Sequence, residues 1–239
     1  MYSRRITAAI LALASVSVIT ACGDDDDDPI GTGNDNTTVR FFNATSGGLS
    51  LDIAENGTVG TGNSNIGFGV ASACTRVSNT NPQLAVRTAN STTSLPGFAP
   101  AFAAGGTYTV LVTGTQAAPV FTTLNDQFTT PTTGNAAVRI VNATTSATTG
   151  TGSWDIYVNP GATLGTPNAT AVGRTTASTY LTVPAGQANT IRLTNTGQTT
   201  AQLNIAVPSL TSGTVSTIVV TDAATGSTTL RTFTLPACT

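Results

Sequence analysis

Apolar and polar residues alternate with a period of two in residues 49–55, 84–88 and 191–194, and β-branched runs fill residues 107–113 and 215–220. Each segment is bounded by Gly, Asn, Asp or Pro, so each reads as a short strand closed by a turn. No helical period follows the first twenty-two residues. The pattern therefore predicts an all-β protein.

The strand pattern is written twice. Val39-Arg40-Phe41-Phe42-Asn43-Ala44-Thr45 returns 99 positions further on (39 to 138) as Val138-Arg139-Ile140-Val141-Asn142-Ala143-Thr144. Leu51-Asp52-Ile53 returns as Trp154-Asp155-Ile156, and the stretch from Ser72 to Val77 aligns with that from Ser178 to Val183. Val86-Arg87 matches Ile191-Arg192, and Gly106-Thr107-Tyr108 matches Gly213-Thr214-Val215. Preserved order with slowly drifting offsets is the mark of a duplicated domain whose loops have changed length. Seven or eight strands in about 100 residues fit a Greek-key β-sandwich of immunoglobulin-like or transthyretin-like type, here two in tandem. The expected boundaries are 39–131 for the first lobe, 132–135 for the linker and 136–239 for the second lobe.

Alternation also assigns faces. Val39, Phe41, Leu51 and Ile53 turn to the core of the first lobe, as do Trp154, Ile156 and Val158 in the second. Arg40, Phe42, Asp52, Arg139, Asp155 and Tyr157 fall on the opposite faces. If the first two strands of each copy are neighbours, Arg40 pairs with Asp52 and Arg139 with Asp155, each pair contributing about 0.2–1 kcal/mol. A charge placed identically in both copies belongs more naturally to the fold than to catalysis. Phe42 and Tyr157 are the aromatics that alternation leaves free to meet a ligand. Asn43 and Asn142 are expected to cap the turn that ends the first strand of each copy.

Ahead of this body, Arg4 and Arg5 precede an apolar stretch over residues 6–19, too short for the roughly 20 residues of a permanent membrane helix. It reads as a signal peptide, residues 1–21. Its end, Ile19-Thr20-Ala21-Cys22, resembles the lipobox of bacterial lipoproteins, which implies lipidation of Cys22 and a membrane contact through acyl chains such as palmitate. Sec export is the expected route. Residues 22–38 carry the unbroken run from Asp24 to Asp28 and then Gly, Asn and Thr, a solvated tether with a reach of roughly 20–25 Å. Asp24, Asp26, Asp28 and Asp35 fall at EF-hand-like spacing, but Pro29 stands at the glycine position and Asp35 replaces the bidentate Glu, so a spacer is the expected reading. By resemblance to lipoproteins of two-membraned bacteria, Gly23 after the cysteine implies the outer membrane, facing either the periplasm or the cell surface.

Charge changes this picture little. The chain of 239 residues has 9 basic residues, all arginine, 11 acidic residues and no histidine. Once Arg4, Arg5 and the Asp run are set aside, seven arginines face six acids, so the body is near neutral. With neither lysine nor histidine, imidazole bases, His-ligated metals, Schiff-base chemistry and a Ser-His triad are excluded. No basic cluster suggests nucleic acid. The scattered body acids offer no catalytic carboxylate pair, so no catalytic residue, metal or cofactor is assigned.

The opening strand V-R-x-x-N-A-T, the D-I-x-V stretch of Asp155, Ile156 and Val158, the S-x-Y-x-x-V-P-A-G stretch from Ser178 to Gly186 and the G-T-Y-T-V strand from Gly106 to Val110 together resemble the bacterial envelope family known as domain-of-unknown-function family 4397. The likeness covers about residues 39–235. It implies a secreted or lipid-anchored β-sandwich and supplies no catalytic residues. The first copy departs from the pattern where Cys74 replaces the aromatic.

With Cys22 lipidated, Cys74 and Cys238 remain, and an even pair in an oxidising compartment points to a disulfide that pins the lobes together. The expected function is a lipid-anchored, non-catalytic envelope module of structural or interaction type. The alternative is a surface adhesin, or a module binding a glycan or an envelope protein through loops or a sheet edge.

Overall fold

The computed structural model describes residues 36–45, 47–78, 83–99, 101–145, 152–223 and 229–238. The signal peptide, Cys22 and the acidic tether with its EF-hand-like spacing lie outside the described residues.

The described residues contain strands and no helix. The first lobe is built from β1 (Asn36–Asn43), β2 (Leu51–Glu55), β3 (Thr58–Val59), β4 (Thr75–Ser78), β5 (Leu84–Thr88), β6 (Thr107–Gly114) and β7 (Pro119–Asn125). The second contains β8 (Asn135–Asn142), β9 (Ser153–Val158), β10 (Ala169–Gly173), β11 (Thr176–Ala177), β12 (Leu181–Pro184), β13 (Asn189–Asn195), β14 (Ala201–Val207), β15 (Val215–Asp222) and β16 (Leu230–Pro236).

Each lobe is a sandwich of two sheets. In the first, the order β4-β1-β6-β7 faces β3-β2-β5; in the second, β11-β8-β15-β16, with β12 also on β8, faces β10-β9-β13-β14. The chain leaves one sheet for the other between β1 and β2 and again between β8 and β9. An immunoglobulin sandwich keeps its first two strands in one sheet. That difference departs from the immunoglobulin-like expectation. In both lobes the opening strand runs parallel to a late one, β1 to β6 and β8 to β15.

The register also moves two alignments. Val86 stands beside Ile53 and Leu193 beside Ile156, so Val86-Arg87 corresponds to Leu193-Thr194 rather than to Ile191-Arg192. The late strand shifts by a residue. Arg40 stands beside Thr109 and Arg139 beside Thr217, so Tyr108 is the counterpart of Ser216 rather than Val215. The repetitive Val and Thr pattern of these strands does not fix a register, whereas the backbone ladder does.

Three apolar clusters hold the described body together. Val39, Phe41, Leu51, Ile53 and Val86 lie in the core of the first lobe, and Ile140, Trp154, Ile156, Ile191 and Leu193 in that of the second. The third lies between the lobes, where Phe42, Ala44, Leu111 and Leu124 meet Val141, Ala143, Val219 and Leu235. This third cluster explains why β8 and β15 are buried along almost their whole length, while β14 and β16 alternate. Strands covered on both faces, as β8 and β15 are, have no solvent side on which to place polar residues, whereas β16 is the edge strand of the same sheet.

Candidate functional site

Arg40 on β1 and Arg139 on β8 project from the faces that the lobes press together, and each is 3% exposed. Their contacts are reciprocal. Arg40 Nη1 donates to the carbonyl of Pro236, at the end of the second lobe's last strand. Arg139 Nη1 donates to the carbonyl of Asn125, at the end of the first lobe's last strand, at 2.7 Å. Asn125 opposes Tyr108 in its ladder and Pro236 opposes Ser216, so the two carbonyls occupy equivalent positions. Each arginine also donates to a threonine hydroxyl of its own lobe, Arg40 Nε to Thr109 at 2.9 Å and Arg139 Nη2 to Thr217 at 3.2 Å. Such an exchange of like contacts is what a pseudo-two-fold interface produces.

One member breaks the symmetry. Asp126 follows β7 and is fixed by its backbone N–H, which donates to the Thr107 carbonyl at 2.8 Å. Its Oδ1 accepts from Arg139 Nη2 at 2.5 Å and its Oδ2 from the Thr109 hydroxyl at 2.5 Å. Arg40 Nη2 stands 3.6 Å from Oδ2, close enough for charge attraction but without the hydrogen bond. The equivalent N–H in the second lobe is that of Ala237, which donates to the Val215 carbonyl, and alanine brings no carboxylate. The described cluster thus buries two guanidinium ions against one carboxylate.

Burial pushes the Arg40 pKa down and Arg139 adds to this, while Asp126 opposes it. Tyr180 lays its ring 4.9 Å from the Arg139 guanidinium carbon, a cation–π contact, and meets Phe128 edge-on at 5.9 Å. Burial raises the Tyr180 pKa against the opposing pull of Arg139, so the phenol is protonated at neutral pH. A cleft of about 460 Å³ opens beside this cluster, lined among others by Arg40, Thr107, Gln127, Phe128, Ser216 and Ala237. Among the described residues, no group of three or more Cys, Asp or Glu is placed to hold a metal ion.

The ion pairs expected within each copy do not form. Asp52 Oδ1 and Oδ2 accept the backbone N–H groups of Asn65 and Asn90 at 2.7 and 2.8 Å. Asp155 does the same for Ala171 and Gly197 at 3.0 and 2.9 Å. The reason is topological: β1 and β2, like β8 and β9, lie in opposite sheets, so their outward faces point away from each other. The aspartates tie down loops at one surface of the sandwich while the arginines face the other lobe.

Phe42 and Tyr157 do not face solvent. Phe42 is 0% exposed and packs against Phe233 of the second lobe, with ring centroids 5.7 Å apart. Tyr157 is 7% exposed. Alternation identified the face correctly for Phe42, but a face turned from one core belongs here to another. Cys74 and Cys238 are joined, with Cα atoms 5.9 Å apart, and so link the two lobes covalently.

The repeated Asn-Ala-Thr is a closed hydrogen-bonded turn. Asn43 Oδ1 accepts from the N–H and the hydroxyl of Thr45, and its Nδ2 donates to the carbonyls of Leu49 and Ile66. Asn142 repeats this with Thr144, Gly152 and Val172. Ser72 and Ser178 add a second matched pair, each hydroxyl accepting the N–H of the opening strand, from Phe41 and Ile140.

Sequence reasoning missed Asp126 and Tyr180. Both lack a like residue in the other copy, and attention to positions shared by the repeats passes over such residues. The useful signal is the opposite one, a lone acid beside the junction of two lobes that each carry an inward arginine.

The site and fold define a two-lobed all-β sandwich protein with a charged seam. Residues 37–149 match the family model described as domain of unknown function (DUF4397). The matched segment runs from β1 through β8, so it includes Arg40, Asp126 and Arg139 and leaves β9–β16 outside. The likeness of the second lobe to the first rests on the matched hydrogen bonds and strand order. The chain matches no curated protein.

Proposed function

We propose that this protein is a non-catalytic module of the bacterial cell envelope, anchored to the outer membrane by lipid on Cys22, whose lobes act as one rigid structural or interaction body. The observation that carries the reading is the seam. An apolar cluster, a shared Asp126 and the Cys74–Cys238 bridge all join the same two lobes. A body of this kind on an acidic tether suits a load or a partner held at a fixed geometry. The disulfide agrees with an oxidising compartment, and the Ile19-Thr20-Ala21-Cys22 stretch supports the anchor. The aromatic platform of the adhesin alternative is weakened by the burial of Phe42 and Tyr157.

Labelling with a palmitate analogue tests the anchor: incorporation into the wild type and none into Cys22→Ser is expected, and equal labelling overturns it. Protease treatment of intact cells, with a periplasmic control, tests the face occupied. Digestion of the lobes while the control survives means surface display. Survival until the outer membrane is opened means the periplasm and removes the adhesin reading.

A further inference from the structure

The seam is a pair of matched half-sites, and only one is complete. In the half-site of Arg139, the guanidinium donates to the last-strand carbonyl of Asn125 and to the carboxylate of the next residue, Asp126. In the half-site of Arg40, the guanidinium donates to the equivalent carbonyl of Pro236, and the next residue is Ala237. Backbone hydrogen bonds place residues 126 and 237 alike, through Thr107 and Val215. A carboxylate is therefore missing at one arginine, and the structure has space there: Arg40 and Ala237 both line the cleft of about 460 Å³.

We propose that this cleft binds a carboxylate supplied by a small ligand, which pairs with Arg40 where Asp126 pairs with Arg139. The charge balance favours such a ligand. Arg40 is 97% buried, shares its single acid with Arg139 and lacks a hydrogen bond to it. A buried cation short of a counter-charge gains most from an anion whose hydrogen bonds are made away from bulk water. The remaining lining identifies the class. Asp126 also lines the cleft, its carboxylate oxygens held by Arg139 and the Thr109 hydroxyl. Thr107, Ser216 and Gln127 offer hydroxyl and amide groups, the Tyr180 phenol, which donates to the Asp126 carbonyl at 3.5 Å, adds another polar atom, and Phe128, 40% exposed, presents an aromatic face. Hydroxyls, one apolar plate and one cation suit a hexuronic acid, a sugar ring that carries one carboxylate, and the volume suits a monosaccharide. The inference stands apart from the lipid anchor and the envelope location, since it concerns this cleft alone.

Three probes and one added carboxylate test it. D-glucuronate, acetate and D-glucose are titrated into the purified protein at low ionic strength, with binding followed by calorimetry and by backbone amide shifts at Gln127, Phe128 and Ala237. Saturable binding of glucuronate and no binding of glucose are expected. Acetate binding as tightly as glucuronate would still support the carboxylate slot while assigning it to simple carboxylates. Ala237→Asp supplies the missing group from within the chain and should weaken carboxylate binding at least about tenfold, as loss of a charge-assisted contact does. Because it removes no existing contact, Ala237→Asp keeps the test informative should Arg40→Gln fail to fold. Neither carboxylate binding at millimolar concentration, glucose binding as tightly as glucuronate, or binding unchanged in Ala237→Asp would each overturn the proposal.

Discussion

Arg139 and Asp126 meet at 2.5 Å across the boundary between the lobes, and the same carboxylate is the nearest acid to Arg40 among the described residues. One side chain therefore offsets two buried charges drawn from different lobes. Removing it leaves both guanidinium ions without a counter-charge in a place that water enters poorly. Asp126→Ala should lower the unfolding free energy by about 3–5 kcal/mol in urea denaturation. Asp126→Asn keeps the shape and some hydrogen bonds, and should fall between the wild type and Asp126→Ala. A loss in Asp126→Ala below about 1 kcal/mol would mean that the seam is hydrated enough to screen both arginines.

The disulfide acts on the same seam by another route. It closes a loop of 164 residues, and on the chain-entropy account such a crosslink stabilises by about 5 kcal/mol through restriction of the unfolded chain. Cys74→Ser with Cys238→Ser should lower stability by up to that amount and leave each lobe's own core intact. Because an effect on the unfolded chain lowers global stability, the slowest amides of both cores, on β2 and β9 as on β1, β6, β8 and β15, are expected to lose protection alike in hydrogen exchange. Loss confined to β1, β6, β8 and β15 would mean that the crosslink acts by holding the lobes together in the folded state instead.

Much of the fold was legible. The strands at 84–88, 107–113 and 215–220 follow from alternation and β-branching because those patterns report which face is buried, a local property. The duplication was legible as well, since Asn43 and Asn142 must each close a turn through four hydrogen bonds. What alternation could not supply is the destination of an outward face. Phe42 and Arg40 read as surface residues from their own strand, and only the packing of a second lobe makes them interior. Asp52 went astray for a related reason: consecutive strands were taken as neighbours, whereas the chain crosses to the other sheet after β1. β14 carries the same alternation, with Leu203, Ile205 and Val207 on the second lobe's core, so this strand was equally legible.

Tyr180 makes the seam sensitive to alkali. Its folded pKa is raised above the ordinary 10.0 by burial, while the unfolded chain keeps the ordinary value. Above pH about 10 the unfolded chain releases this proton first, so stability declines as pH rises towards the folded pKa, and below that range the contribution is fully present. Thermal unfolding between pH 8 and 11 should show a steeper alkaline fall for the wild type than for Tyr180→Phe, which has no proton to lose. Parallel profiles would mean that the phenol ionises as freely in the folded protein as in the unfolded one.

How tightly the lobes press can be read from a single glycine. Gly69 adopts φ +77°, and a β-carbon built there would lie 2.2 Å from a ring carbon of Phe233 on β16, across the seam. Alanine at this position meets two penalties, the left-handed backbone and a ring that must move. Gly57 has φ +83° and nothing within 4 Å of an added β-carbon, so Gly57→Ala carries the backbone penalty alone, about 1–2 kcal/mol. Gly69→Ala should cost about 1–3 kcal/mol more than Gly57→Ala, the usual range for overpacking a filled core. Phe233 also touches Phe42 and Phe68, with centroids 5.7 Å away in each case, so the ring has little freedom to yield. Equal losses at the two glycines in urea denaturation would mean that the ring swings aside and that the seam is held by Asp126 and the disulfide rather than by its apolar packing.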